Sequence, residues 1–142
     1  MRLQSAVFSI PDALAGQEDA GKVLSILKME GVWFYGVTDL ARPAAEERLR
    51  EAGLLDDFRG ILTEKEAGCA LDDAKMYEKA MRRLGSVPRD TVVFTSRGDV
   101  LRGAKAAGVR VALVRGVQSE AQWTELCAQA DEIVERYSDF LA

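Results

Sequence analysis

The chain contains no histidine and only two cysteines, Cys69 and Cys127, in 142 residues. Without an imidazole no serine or cysteine can be activated by one, and two distant cysteines without a CxxC spacing cannot assemble a zinc site. They read as reduced, structural thiols. No apolar run approaches the ~20 residues that a membrane span needs. The opening MRLQSAVFSIPDA has one arginine, a short apolar stretch and an early proline. It is unlike a secretory signal, so no membrane partner and a cytoplasmic location are expected. A basic excess is missing too: 19 Lys and Arg stand against 23 Asp and Glu, a net charge of -4, and with no broad basic surface no nucleic-acid partner is expected.

What remains is the composition of a globular protein, 48% hydrophobic and 30% charged, expected to form one domain over residues 1–142. Short apolar runs alternate with helical patterns. Residues 5–9, 32–38, 60–63, 91–95 and 109–114 read as strands, several apolar on both faces, as in a parallel sheet covered by helices. Ala20, Val23, Leu24 and Leu27 form one helical stripe, and Ala74, Tyr77, Met81 and Leu84 another. Gly31, Gly53, Gly85 and Gly108 fall where helices should stop, and Pro43 where one can start. A last helix over about 118–130 leads to Ile133 and Val134, candidates for a short edge strand. The run Trp33-Phe34-Tyr35 is expected to pack between helix layers, and Arg97-Gly98-Asp99 to open a helix. The charges of EERLRE and KAMRRL read as solvated helix faces.

Right-handed crossovers make this a three-layer, doubly wound α/β fold of about five strands in the order 3-2-1-4-5. Any pocket should open at the switch between strands 1 and 4. Ser9–Ala13, Thr38–Arg42 and Thr95–Asp99 meet there.

Three segments, GVTDLARPAAEERLREAGLLDDFRGIL, KMYEKAMRRLGSVPRDTVVF and GAKAAGVRVALV, together resemble the haloacid dehalogenase superfamily, phosphatases and phosphomutases with an aspartyl nucleophile. The likeness runs from about residue 4 to 135 and implies a Rossmann-like core. It also implies four motifs, most of which this chain lacks. At the places of the two first-motif aspartates stand Ser9 and Pro11. Proline cannot transfer a proton, and shifting the frame by one puts Asp12 in the acid position but Ile10 at the nucleophile. The second-motif hydroxyl is matched by Thr38. The third-motif lysine falls near Leu71, leaving Lys65 or Lys75 as remote substitutes. Thr95 and Ser96 stand where acidic residues would hold magnesium, with Asp99 a weak metal candidate nearby.

Loss of one member of a cooperating catalytic unit can cost on the order of 10⁶-fold in turnover, so the resemblance implies a catalytically silent core. Such a core would act as a binding, regulatory or assembly module for an unknown protein partner or a second copy, with no cofactor. Only about 20 residues separate the first-motif loop from the second strand, too few for a cap domain. An open mouth implies a macromolecular substrate or none. Ser9, Asp12, Thr38, Asp39, Ser96 and Arg97 are candidates to hold a small anion without metal, or are turn and cap residues facing water. The alternative is a divergent hydrolase, magnesium-dependent, with Asp12 or Asp39 recruited. A signalling receiver domain ranks last: its acidic cluster, aspartate and lysine would fall at Ser9, Thr63 and Arg115.

Overall fold

The computed structural model describes residues 3–141. Six strands, β1 (Ser5–Ser9), β2 (Trp33–Thr38), β3 (Phe58–Thr63), β4 (Thr91–Thr95), β5 (Arg110–Val114) and β6 (Glu132–Val134), form one sheet in the order β3-β2-β1-β4-β5-β6, every pairing parallel. The expected order of the first five strands holds. The sixth is the short edge strand expected at Ile133 and Val134, which pair with Leu113 and Val114.

The connecting helices are α1 (Ala20–Met29), α2 (Arg42–Glu51), the single turn α3 (Glu64–Ala67), α4 (Ala74–Leu84), α5 (Gly98–Ala106) and α6 (Glu120–Cys127). Between β1 and β2, residues 10–32 hold only α1. One core lies beneath α1 and α2, where Phe8 stacks on Phe94 at 4.8 Å and meets Phe34 edge-on at 5.6 Å. The other joins Val7, Tyr35 and Val93 of the sheet to Met76, Tyr77, Leu101 and Trp123 of α4, α5 and α6. Double-sided burial of β1 and β4 follows from this: both are buried at every position and apolar throughout their centres, Ala6–Phe8 and Val92–Phe94.

The first predicted stripe and Tyr77, Met81 and Leu84 of the second face these cores, and α4 ends in a left-handed Gly85 as expected. The aromatic run behaves differently from the expectation. Phe34 and Tyr35 are buried, but Trp33, the first residue of β2, projects past the helix cover and is half exposed, with the Arg59 guanidinium 3.3 Å from its ring centroid. Arg97 caps α5, so Arg97-Gly98-Asp99 opens a helix. Among the described residues no helix is long and apolar enough to cross a membrane.

Candidate functional site

Parallel strands all point the same way, so the loops after β1, β2 and β4 converge at one end of the sheet, and the crevice lies where the chain's direction of winding reverses. β1 ends at Ser9 and β4 at Thr95, both fully buried. Their hydroxyls lie 2.7 Å apart, and both turn to the same acceptor. Ser9 Oγ donates to Asp12 Oδ2 at 2.6 Å, Thr95 Oγ1 at 3.1 Å, and the Ser96 amide and hydroxyl at 2.9 and 3.1 Å. One carboxylate oxygen therefore gathers the polar groups at the ends of both central strands. The other, Asp12 Oδ1, is buried with no hydrogen-bond partner among the described residues.

The neighbouring loops are just as fully engaged. Thr38 Oγ1 donates to the Ile10 carbonyl at 2.8 Å and accepts from the Leu40 amide at 3.0 Å, stitching the loop after β2 to the loop after β1. Arg97 spans two carboxylates, reaching Asp39 at 2.9 Å and both oxygens of Asp99 at 3.0 and 2.7 Å. These bonds hold the Arg97 guanidinium above its ordinary value, Asp99 contributing most against an opposing effect of burial. Burial alone would push Asp99 upward. The bonds and charge of Arg97, with the Val100 amide, outweigh it and leave Asp99 below the usual carboxylate range.

Of the candidate anion-holding residues, the structure thus brings Ser9, Asp12 and Ser96 into one knot and Asp39 and Arg97 into an adjacent ion-pair chain. Thr38 is directed to the Ile10 carbonyl. Leu71 is buried, its amide bonded to Glu64 and its carbonyl to the Tyr77 hydroxyl, while Lys65 and Lys75 are exposed and bond to nothing in the knot. Two residues without any sequence signal also shape the crevice. Gln118 donates to the carbonyls of Ser96 and Val114, and Gln17 donates to the Arg115 carbonyl and accepts from the Tyr137 amide. Beside the knot lies an open cavity of about 470 Å³, lined by Asp12, Ser96, Arg97, Arg102 and Gln122 among others.

A strand-end crevice on a capless, doubly wound parallel sheet defines the class. Residues 4–108 match the family model of haloacid dehalogenase-like hydrolases, and the chain belongs to that family. Its fold is similar to that of CbbY from Rhodobacter sphaeroides in complex with phosphate (TM-score 0.72, 20% identity), covering 87% of this chain and 55% of that one. A haloacid dehalogenase-superfamily hydrolase from Geobacter sulfurreducens PCA matches at TM-score 0.71 and 18% identity, over 88% of this chain and 54% of its own. The core domain of a protein described as a phosphoglycolate phosphatase from Streptococcus pneumoniae TIGR4 matches at TM-score 0.67 and 15% identity, over 90% of this chain and 97% of that one. This chain therefore spans little more than half the length of the first two. No curated protein matches it in sequence.

The family implies magnesium, and the residues present can be tested against that ion. Magnesium takes an octahedron of oxygens that includes one or two carboxylates. Here the knot offers one carboxylate, half of it already saturated by hydroxyl and amide donors, and Asp99 is held on both oxygens by Arg97. No group of three or more acidic, cysteine or histidine side chains converges anywhere among the described residues. The donor set does not fit the ion.

Ion pairs at both ends of the sheet carry a pH dependence. Glu66 is pulled down to about 2, chiefly by its bonds to Arg42, and Asp131 lies below its ordinary value because the Val111 amide and Lys105 outweigh burial. Depressed folded values mean stability that is complete above the unfolded values near 4 and lost as pH falls through the folded ones. Thermal midpoints are accordingly expected to hold from pH 7 to about 5 and to fall progressively between about pH 4.5 and 2. A midpoint that stayed level across that acid window would contradict the assignment.

Proposed function

We propose that this chain is a haloacid dehalogenase-like core that has lost phosphoryl chemistry and works in the cytoplasm as a binding, regulatory or assembly module, without a resident metal. The observation that carries this reading is the convergence of Ser9, Thr95 and Ser96 on Asp12 Oδ2. Ser9, at the nucleophile's place, is buried and its proton is committed. A carboxylate is too weak a base to make an alkoxide of it, because effective proton transfer needs a base whose pKa is near the working pH. Pro11 offers no acid for a leaving group. An added anion would meet the carboxylates of Asp12 and Asp99 beside Arg97 and Arg102, and Arg97 is already paired with Asp39 and Asp99, which also argues against a small anion as the natural ligand.

The alternative, a divergent magnesium-dependent hydrolase, draws support from family membership and from the unpartnered Asp12 Oδ1. The two readings separate in an assay of the purified chain with p-nitrophenyl phosphate and a panel of sugar phosphates in millimolar magnesium. The expected rate equals that of buffer and of Asp12→Asn. Turnover that Asp12→Asn or Asp39→Asn abolishes would establish the hydrolase instead.

A further inference from the structure

At the end of the sheet opposite the crevice, the molecule leaves apolar surface uncovered. Eight large apolar side chains are exposed among the described residues, and five of them gather here: Ile26 (44%) and Met29 (87%) on α1, Trp33 (45%) at the start of β2, and Phe140 (54%) and Leu141 (43%) in the closing 3₁₀ turn Tyr137–Leu141. Two grooves of about 350 and 360 Å³ flank the carboxyl end of α1. Ile26, Phe140 and Leu141 line the first, and Trp33 and Lys28 the second. We infer that this face is a two-fold interface between two copies of the chain, an inference that rests on the reading of the protein as an assembly module.

Three observations select a second copy as the occupant. The first is area. At about 200 Å² for a side chain of this size, the exposed fractions amount to roughly 550 Å² of apolar surface per copy. Doubled and extended by a polar rim at the usual apolar share of about 57%, that approaches ~1,900 Å², within the range of a specific interface. The patch is also at the upper end of what a monomer leaves uncovered.

The second is charge. The chain as a whole is at -4, yet the groove linings mix both signs, with Lys28, Arg59 and Arg110 against Glu30, Asp56, Asp57 and Glu132. A uniformly acidic or basic partner would be opposed by half of this rim, whereas a two-fold copy presents each sign to the other. The third is the state of two of those charges. Arg59 lies over Trp33 and has no ion-pair partner among the described residues, and exposed Asp56 has none either, although both line the same groove. Lys28 and Asp57 satisfy each other at 2.6 Å. The groove therefore keeps one free cation and one free carboxylate, as a self-complementary surface requires, and an arginine stacked on tryptophan is the kind of anchor that dominates interface energies.

The test is sedimentation velocity on the full chain from low micromolar to several hundred micromolar. The wild type is expected to dimerise across that range. Met29→Asp enters a two-fold interface twice, so it should weaken association by about a hundredfold, at roughly tenfold per copy. Phe140→Asp should act in the same direction, and Val117→Asp, at the crevice end, should leave association unchanged. All three positions are exposed, and circular dichroism verifies folding; should Met29→Asp fail to fold, Phe140→Asp decides. A wild type that stays monomeric throughout, a dimer indifferent to both interface variants, or equal weakening by Val117→Asp would overturn the inference. None of these outcomes bears on hydrolysis, so the proposed loss of catalysis stands or falls separately.

Discussion

Asp12→Ala is expected to destabilise the fold by about 3 kcal/mol, a drop of roughly 6–12 °C in thermal midpoint for a chain of this length. The carboxylate accepts from the Ser9 and Thr95 hydroxyls and from the amide and hydroxyl of Ser96, and hydrogen bonds to a charged group contribute about 1.5–3 kcal/mol each. The total stays below a simple sum because Ser9 and Thr95, 2.7 Å apart, can still bond each other once the acceptor is gone. The Ser96 amide would be left without its acceptor, and the loops after β1 and β4 would lose their shared anchor. Asp12→Asn keeps one acceptor and should cost about 1–2 kcal/mol. The sign carries the argument. Residues kept for chemistry are often held against stability, so neutralising a catalytic aspartate tends to raise the midpoint. A rise on Asp12→Asn, measured by calorimetry, would mark Asp12 as a strained functional group.

Gly103→Ala is expected to cost about 2–3 kcal/mol, although alanine is the better helix former by about 1 kcal/mol. A Cβ at this position would lie 2.5 Å from the Leu71 carbonyl oxygen, 2.6 Å from Tyr77 Cε2 and 3.0 Å from the Asp72 carbonyl carbon. None of these is the free end of a flexible side chain. The Leu71 carbonyl accepts from the Tyr77 hydroxyl at 2.5 Å, and the Leu71 amide is held by Glu64. Burial raises the Tyr77 hydroxyl well above its ordinary value, so it remains a donor at every working pH. Accommodating the methyl group means pushing α5 away from α4 or breaking the Tyr77 bond. Urea unfolding reads the loss, and a variant as stable as the wild type would show that the helices approach less closely than described.

Much of this architecture is legible in the sequence because it follows from local rules. Apolar residues on both faces of 91–95 require helices on both sides, and the glycines at 31, 53, 85 and 108 all adopt the positive φ of helix ends. Trp33 shows where such rules stop: period and propensity place it in a strand but say nothing about how far the helix layers extend over that strand's first residue. The crevice was legible as a set of positions, and Ser9, Asp12, Thr95 and Ser96 do meet. Their arrangement was not, since Asp12 finds Thr95 and Ser96 83 and 84 residues away. Gln17 and Gln118 carry no signal, because a loop glutamine bonding backbone carbonyls leaves no pattern in sequence.

The central claim is that the strand-end crevice commits its hydroxyls and the Arg97 guanidinium to its own carboxylates and carbonyls and cannot accept a phosphoryl group. Intact-mass spectrometry of the protein after incubation with acetyl phosphate and magnesium tests this without depending on a turnover rate. The account predicts the unmodified mass alone. A species heavier by one phosphoryl group, mapping to Ser9, Asp12 or Asp39, would contradict it.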